Sequence, residues 1–577
     1  MAVENLITEH IDIWTSAVKT KSTSGRGSSK KLELYGVNKL RELILELAVR
    51  GKLVPQDPND EPASVLLERI AAEKAQLVKD GKIKKSKGLG EISEEDDRLK
   101  NIPSLWETAR LGNLLYVEMG QSPASKYYNQ DHNGVPFFQG KADFGERYPT
   151  ARYWCVQPQK YAYEGDVLLS VRAPVGPTNI STEECCIGRG LAALRPISGV
   201  PTNYVYYMMQ GFRKTLESLA TGTTFVAVSK VNVENLIISV PPLKEQHRIV
   251  AKVDELMTLC DQLEQQTEAS IEAHQVLVTT LLDTLTNSAD ADELMQNWAR
   301  ISEHFDTLFT TEESIDQLKK TILQLAVMGK LVPQDPSDEP ASGLLKRIAE
   351  EKAQLVKEKK IKKPKALPPI AEDEKPFELP NGWEWSRFAD VISEVATGPF
   401  GSMINKREYI SNGVPLINPS HMINQKIIED SSISVSDDKA KELNSYRIKP
   451  GDILMARRGE MGRCALVTER EHNWLCGTGS FVLKFQEEIY RPYILLLFQT
   501  SWVRAYLGGN SVGSTMINLN HTILNKMPIL IPPKQEQVKI VSKVIELLDL
   551  CNDIADRVVV YRETQLKLAN AIVDQIV

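Results

Sequence analysis

Two long stretches of the chain carry apolar residues at helical spacing. Residues 245–285 and 536–576 each lack glycine and proline, and each would extend about 60 Å as an unbroken helix at a rise of ~1.5 Å per residue. Within them the apolar positions advance by alternating steps of four and three, which is the heptad seam of a coiled coil. The seam includes Ile249, Val253 and Leu256 in the first stretch and Ile540, Val544 and Leu547 in the second. The pattern predicts two long helices that pair antiparallel as a rigid rod.

Two other regions alternate short β-branched runs with turns. Residues 167–171 and 453–455 are such runs, and Asn133-Gly134 and Asn412-Gly413 are turn dipeptides. This alternation predicts two mixed α/β domains. A charged helical segment precedes each domain. In the first segment apolar residues recur at helical spacing up to Gly51, where a glycine is expected to end the helix.

The helical segment occurs twice. Residues 38–87 match residues 316–365 at 36 of 50 aligned positions, and the string GKLVPQDP appears at Gly51 and again at Gly329. Weaker collinear matches follow, of residues 134–136 with 413–415, 165–176 with 451–462, 188–190 with 477–479, and 241–246 with 532–537. The chain is therefore interpreted as two copies of one long unit, which favours pseudo-two-fold symmetry.

We predict an α+β multidomain fold in which two α/β domains are separated by long antiparallel coiled-coil helices. The predicted division is a helical segment (1–101), a first α/β domain (102–240), a central helix with the repeated segment (241–378), a second α/β domain (379–531) and a C-terminal helix (532–577). Trp106 and Trp383, near the two domain starts, are predicted core anchors.

Composition changes this picture little. The formal net charge is −7, yet DNA is met by a local basic face and not by the whole chain. The seven cysteines include no C-x-x-C pair, so a zinc site is not expected, and reduced cysteines favour the cytoplasm. No long apolar run predicts a membrane span, and the first 20 residues do not resemble a signal peptide.

Motifs for catalysis are missing from the sequence. It contains no G-x-x-x-x-G-K-[ST] phosphate loop, no H-E-x-x-H and no G-x-S-x-G. The three Pro-Pro pairs, at 241–242, 368–369 and 532–533, lack the flanking residues of an adenine methyltransferase tetrapeptide. We therefore predict no catalytic residue, no metal site and no cofactor in this chain.

At GKLVPQDP, at GDVLLSVRAPVG (165–176) and at the PP-x-x-EQ segments, the sequence resembles the specificity subunits of Type I restriction–modification enzymes. The resemblance covers essentially the whole chain. It implies that each α/β domain is a target recognition domain that reads half of a bipartite, asymmetric DNA site. It also implies two modification subunits, which carry S-adenosylmethionine, and motor-nuclease restriction subunits, which use ATP and Mg²⁺.

Candidate DNA contacts are side chains that can reach base edges or phosphates. They are Gln121, Ser122, Gln139, Arg172, Arg189, Thr223 and Thr224 in the first domain, and Ser402, Asn418, Arg457, Arg458, Ser514 and Thr515 in the second. Arg172 and Arg458 occupy matching positions, so they either contact the DNA backbone in both domains or form one repeated structural salt bridge.

The starts of the long helices are candidate contacts to the modification subunits. Glu245, Gln246, Glu536 and Gln537 are predicted there, although helix-start electrostatics would explain the glutamates equally well. The heptad residues either pack within the rod or face a partner. Three other functions stay open at this point: a stand-alone DNA-binding protein, a metal-dependent nuclease and a structural scaffold.

Overall fold

The computed structural model describes residues 3–22, 30–84, 89–92, 102–220, 227–359, 361, 366–400, 403–509 and 519–576. The chain divides into two compact units. Unit 1 comprises Met1–Ser270 together with Tyr561–Val577, and unit 2 comprises Ile271–Val560. No described helix is both long and apolar enough to cross a membrane.

Nine helices and thirteen strands lie in the part of unit 1 that the structure describes. The helices are α1 (Val3–Glu9), α2 (Ile11–Ser16), α3 (Tyr35–Val49), α4 (Ala63–Lys79), α5 (Leu111–Leu114), α6 (Thr202–Gly211), α7 (Arg213–Ser218), α8 (Lys230–Glu234) and α9 (Leu243–Asn287), whose last turns belong to unit 2. The strands are β1 (Lys19–Ser22), β2 (Lys30–Glu33), β3 (Glu107–Arg110), β4 (Leu115–Met119), β5 (Tyr128–Asn129), β6 (Val135–Phe138), β7 (Tyr153–Cys155), β8 (Tyr161–Ala162), β9 (Val167–Ser170), β10 (Thr178–Ile180), β11 (Cys185–Ile187), β12 (Leu191–Pro196) and β13 (Ile237–Val240).

Unit 2 contains the remaining elements. The helices are α10 (Ala291–Glu303), α11 (Phe305–Leu308), α12 (Glu312–Val327), α13 (Ala341–Lys357), α14 (Phe388–Val391), α15 (Asp437–Glu442), α16 (Arg491–Gln499), α17 (Ser501–Gly509), α18 (His521–Lys526) and α19 (Lys534–Ile576), whose last turns belong to unit 1. The strands are β14 (Glu384–Arg387), β15 (Ile392–Thr397), β16 (Val414–Ile417), β17 (Met422–Ile423), β18 (Lys426–Ile427), β19 (Ser434–Val435), β20 (Ile453–Ala456), β21 (Cys464–Leu466), β22 (Leu475–Cys476), β23 (Ser480–Phe485) and β24 (Pro528–Ile531).

The two units share the strand order of their main sheet, although the second sheet has five strands in unit 1 and three in unit 2. An antiparallel sheet of order β10-β9-β12-β4 in unit 1 matches β21-β20-β23-β15 in unit 2. Beside it, β6 and β11 pair in parallel in unit 1, as β16 and β22 do in unit 2. The strands β3 and β13, and likewise β14 and β24, close each domain where its chain enters and leaves. The predicted duplication, the two sheet-containing domains and the long helices are confirmed.

The repeated sequence strings meet in space in unit 1. Helix α3 ends at Val49, and Gly51 follows at a φ of +70°, where an added Cβ would lie 2.5 Å from the ring of Pro103. Trp106 is buried, and its Nε1 donates to Oε2 of Glu245 at 2.9 Å, while Gln56 donates to Oε1 at 2.7 Å. We call Gln56, Trp106 and Glu245 the joint of unit 1, because they tie the helical segment, the α/β domain and the long helix together.

Unit 2 repeats this arrangement. Trp383 Nε1 donates to Oε2 of Glu536 at 2.9 Å, and Gln334 donates to Oε1 at 3.3 Å. Gly329, at a φ of +69°, again lies against the tryptophan. Gln334, Trp383 and Glu536 are therefore the joint of unit 2, and both tryptophans are the core anchors that the sequence predicted.

The polar starts of the long helices require a correction. Glu245, Gln246, Glu536 and Gln537 are at most 2% exposed, and Gln246 and Gln537 each donate to a proline carbonyl within their own unit, at 2.9 Å. Side chains buried in this way cannot reach a partner subunit. Their prediction as subunit contacts was wrong, because the polar pair at each helix start makes hydrogen bonds inside its own unit.

The heptad seams are also buried within their own units. Ile249, Val253 and Leu256 are at most 1% exposed, and Arg41 of α3 bonds Asp261 and Glu264 of α9 beside them. In unit 2, Ile540 and Val544 are buried in one cluster with residues of α12, and Leu547 packs against it. The first part of each long helix thus packs on the repeated helix of its own unit, and the antiparallel rod stays a prediction.

Candidate nucleic-acid interface

In unit 1 the predicted polar residues converge where three strands end. Backbone N–H groups join them, since Gln121 donates to the carbonyl of Ile187 at 2.9 Å and Arg189 donates to Oγ of Ser122 at 3.3 Å. A Cβ placed on Gly188 would lie 3.1 Å from Cα of Gln139. Gln121, Gln139 and Arg189 are exposed. The fold thus brings together candidate residues that are separated by up to 68 positions in the sequence.

Glycines make this convergence possible. A Cβ on Gly120 would collide with the carbonyl oxygen of Gly188, and one on Gly190 would collide with that of Gln139. Because glycine has no side chain, the backbones of the three segments come into direct contact. The polar side chains on either side then project from one continuous surface.

Arg172 follows strand β9 at the same end of the sheet. Val171 donates from its backbone N to the carbonyl of Gly190 at 2.9 Å, and Val228 donates to the carbonyl of Val171 at 2.9 Å. Arg172 itself is exposed and pairs with Ala227 in an isolated bridge. We call Gln121, Ser122, Gln139, Arg172 and Arg189 the polar surface of unit 1. The predicted contacts Thr223 and Thr224 lie outside the described residues.

Three lysines lie near this surface, of which sequence reasoning missed Lys160 and Lys230, whereas Lys84 belongs to the basic run of residues 79–87. A cleft of about 520 Å³ is lined by Gln121 and Arg189 together with Lys84, Lys160 and Lys230. Lys160 pairs with Glu118, and Lys230 lies 3.5 Å from Glu234. Burial opposes ionisation of Glu118, but hydrogen bonds from Lys160 and Tyr116 outweigh it and hold the pKa of that carboxyl below its usual value. No local pattern signals Lys160 and Lys230, because they stand alone in the sequence and only the fold brings them beside Lys84.

Unit 2 repeats the backbone frame with different side chains. Gly398 donates to the carbonyl of Ser480 at 2.9 Å, and Gly477 donates to that of Ile417 at 2.8 Å. A Cβ on Gly477 would collide with Oδ1 of Asn418, which places this amide where Gln139 stands in unit 1. The polar surface of unit 2 is Asn418, Arg457 and Arg458, while the predicted contacts Ser402, Ser514 and Thr515 lie outside the described residues.

Arg457 has an unusual setting in this surface. Its guanidinium carbon lies 4.9 Å from the centroid of the Phe481 ring, and the ring of His521 lies 5.3 Å from the same phenyl ring. Nε2 of His521 shares a hydrogen bond of 2.7 Å with Oγ1 of Thr397. Burial and the neighbouring charge of Arg458 lower the pKa of Arg457, and burial and Arg457 lower the pKa of His521. The local potential is therefore positive, which favours an anionic or acceptor-rich ligand.

Nothing in this surface is arranged for bond-breaking chemistry. Among the described residues, no three His, Cys, Asp or Glu side chains are grouped as metal ligands. The seven cysteines are all buried, and burial raises the pKa of Cys464 and of Cys476 to about 12. Such thiols are poor nucleophiles at neutral pH.

Comparison with known proteins gives a consistent result. The model of the Type I restriction modification DNA specificity domain matches residues 103–273 and 380–557. The chain is 42% identical over 596 aligned positions to the Type I restriction enzyme EcoAI specificity subunit of Escherichia coli, covering 100% of this chain and 99% of the relative. It is 41% identical over 612 positions to the EcoEI specificity subunit of the same species, again with 100% and 99% coverage. A solved HsdS subunit from Thermoanaerobacter tengcongensis is 31% identical, covering 44% of this chain and 62% of that chain, with a TM-score of 0.27.

Proposed function

The chain belongs to the family of DNA specificity subunits of Type I restriction–modification enzymes, and on that premise we propose that its two polar surfaces each read one half of a bipartite, asymmetric DNA site. The recognition subunit is not itself catalytic. The observation that carries the proposal is the pair of polar surfaces built on one backbone frame, with different side chains at matched positions.

The matched positions differ in what they can read. Gln139 of unit 1 is replaced by Asn418 in unit 2, and Arg189 by Thr478. Arginine suits guanine, and both carboxamides suit adenine but reach it from different distances. Two such surfaces are expected to prefer different base sequences, which makes the whole target asymmetric.

The chemistry is proposed to come from partner subunits. Two modification subunits would supply S-adenosylmethionine and methylate one adenine in each half-site, and restriction subunits would supply ATP- and Mg²⁺-dependent cleavage. This assignment is supported by the match to the specificity-domain family and to relatives that are named specificity subunits of Type I restriction enzymes. We place the assembly in the cytoplasm, where its DNA lies.

The partner surface is proposed to lie on exposed parts of the long helices, since the helix starts are buried. Val276 and Leu277 of α9 are 61% and 50% exposed, and Val560 and Tyr561 of α19 are 63% and 57% exposed. Apolar residues exposed in neighbouring pairs are typical of protein–protein contacts.

Mapping of methylated adenines in cells that express this chain with its modification subunit tests the proposal. Replacing residues 102–240 with the equivalent domain of another specificity subunit should change one half of the methylated sequence only. Replacing residues 379–531 is the matched control and should change the other half only. A change in both halves after either exchange would contradict the division of labour.

A further inference from the structure

Arg457 is an arginine without a counter-charge. None of its neighbours in the described part of the chain forms an ion pair with it, and its Nε atom is buried without a hydrogen-bond partner. Its closest charged neighbour is Arg458, which repels it. A half-buried cation in this state costs free energy unless a ligand compensates it. The side chain is nevertheless held firmly, because its guanidinium lies over the buried ring of Phe481.

The matched position in unit 1 holds no charge. Val171 and Arg457 occupy the same place, since each donates from its backbone N to the second glycine of the matched turn, Gly190 or Gly479, at 2.9 and 2.8 Å. Each also accepts a backbone hydrogen bond, from Val228 at 2.9 Å or from Leu519 at 3.0 Å. Val171 is buried. Arg172 and Arg458, one residue further, are arginine in both units.

This difference separates two roles. A residue present at the same position in two surfaces that read different sequences suits the DNA backbone, which is the same everywhere. A residue present in only one surface suits a feature found in only one half-site. Arg458 belongs to the first class with Arg172, and Arg457 belongs to the second.

We propose that Arg457 reads a guanine in the half-site bound by unit 2, through its two terminal Nη atoms. Because Nε is buried, the terminal pair is the edge left to donate, and its spacing matches O6 and N7 of guanine in the major groove. The ring of His521, which shares a hydrogen bond with Thr397, packs edge-on against the same Phe481 ring that the guanidinium covers. The inference rests on the proposed function, because it names the base that one polar surface recognises.

Binding by the complex of this chain with its modification subunits tests the proposal, once methylation mapping has given the target. Each guanine of the unit 2 half-site is replaced in turn by 7-deazaguanine, which keeps Watson–Crick pairing but lacks the N7 acceptor. The same DNA set is measured with Arg457→Met, with Arg457→Lys and with the matched control Arg458→Met, at several salt concentrations.

At one guanine, 7-deazaguanine should weaken binding of the wild-type complex, and Arg457→Met should bind the natural and modified sites equally. Arg457→Met should also lose about 10- to 100-fold in discrimination against other bases at that position. Arg457→Lys should keep the charge but lose part of both the affinity and the discrimination, since the single ammonium of lysine lacks the planar pair of donors of arginine. Arg458→Met should weaken all sequences alike and lower the salt slope by about 1.

Several results would overturn the inference. One is a unit 2 half-site without a G·C pair, and another is a set of 7-deazaguanine sites that all bind normally. A third is an Arg457→Met complex that loses affinity equally for every sequence with a smaller salt slope, which would make Arg457 a phosphate contact. A wild-type complex without any sequence preference would instead overturn the proposed function. The 7-deazaguanine measurement needs no variant, so a misfolded substitution does not obscure the outcome.

Discussion

The joint of unit 1 and the joint of unit 2 agree closely, whereas the two polar surfaces do not. In the joints, Trp106 and Trp383 each donate to a buried glutamate at 2.9 Å. In the polar surfaces, by contrast, the position that holds Val171 in unit 1 holds Arg457 in unit 2. The joints connect each domain to its long helix, and a substitution there is expected to weaken that connection. The polar surfaces meet a ligand that differs between half-sites, so their side chains are free to diverge on an unchanged backbone frame.

A buried aspartate shows the same contrast inside the domains. Asp166 of unit 1 accepts hydrogen bonds from Nε of Arg195, at 3.0 and 3.3 Å, and from Nη2 of the same residue, at 2.8 Å. Its counterpart Asp452 has a lysine, Lys484, at the position of Arg195, and this lysine pairs with Glu394 instead. Burial raises the pKa of Asp452 above its usual value. The duplicated frame thus tolerates a different charge arrangement where the aspartate's backbone contact is kept.

The largest effect is expected from the glycines that end α3 and α12. Gly51→Ala and Gly329→Ala should each lower the free energy of unfolding by about 2–4 kcal/mol, since the new Cβ meets proline and tryptophan rings at a positive φ. Gly81→Ala is the control, because Gly81 has a φ of +68° and open space around it, and should cost only about 1–2 kcal/mol. Calorimetric unfolding measures all three, and unequal losses at Gly51 and Gly329 would break the equivalence of the joints.

The next largest loss of stability is expected when the indole N–H donors of the two joints are removed. Trp106→Phe and Trp383→Phe should each cost about 1–3 kcal/mol, because a buried carboxylate loses a hydrogen bond. Burial already raises the pKa of Glu245 and of Glu536, and loss of the donor should raise it further. The loss should therefore be largest above the folded-state pKa and shrink as the pH falls through it and the carboxyl takes up a proton. Unfolding curves at neutral and acidic pH check this, and a loss that grows on acidification would contradict it.

Substitution of the buried aspartates should cost different amounts of stability in the two units. Asp166→Asn should cost about 1–2 kcal/mol, because Arg195, which is 26% exposed, loses its carboxylate partner. Asp452→Asn should cost less than about 1 kcal/mol, since burial already disfavours its charge and no ion pair is broken. Denaturant unfolding of both variants measures the difference. Equal costs would show that the Arg195 pair adds nothing to the stability of unit 1.

The smallest effect is expected at the shared arginines. Arg172→Ala and Arg458→Ala should each weaken DNA binding by the complex by less than about tenfold and lower the salt slope by about 1, as the loss of one phosphate contact would. Titrations at several salt concentrations with specific and unrelated DNA measure both quantities. If either arginine altered base preference, the distinction between shared and unshared positions would fail.

Sequence reasoning succeeded where a local pattern has one structural meaning. The repeat, the end of α3 before Gly51 and the length of the long helices follow from spacing and from glycine or proline alone. It failed where the meaning depends on a distant partner. The seam at Ile249 and Ile540 shows that one helix face is buried but not against what, and Glu245 looks like surface until Trp106, 139 positions earlier, is placed beside it.

Within the candidate site, Gln121, Gln139 and Arg189 could be selected from the sequence because they adjoin matched glycines. Lys160 and Lys230 could not, since isolated lysines are common on every surface and only the fold gathers these two beside Lys84 of the basic run 79–87. The lack of a counter-charge at Arg457 was equally hidden, because it depends on Phe481 and on other neighbours that residue spacing does not reveal.

The two joints consist of the same three residue types, in which a tryptophan and a glutamine donate to one buried glutamate. Either joint is therefore expected to accept either recognition domain. Exchanging the positions of the two domains within this chain would keep both sets of hydrogen bonds. Under the pseudo-two-fold symmetry that the duplication favours, such a transposed protein should still assemble and should recognise the same double-stranded DNA site, read from the opposite strand.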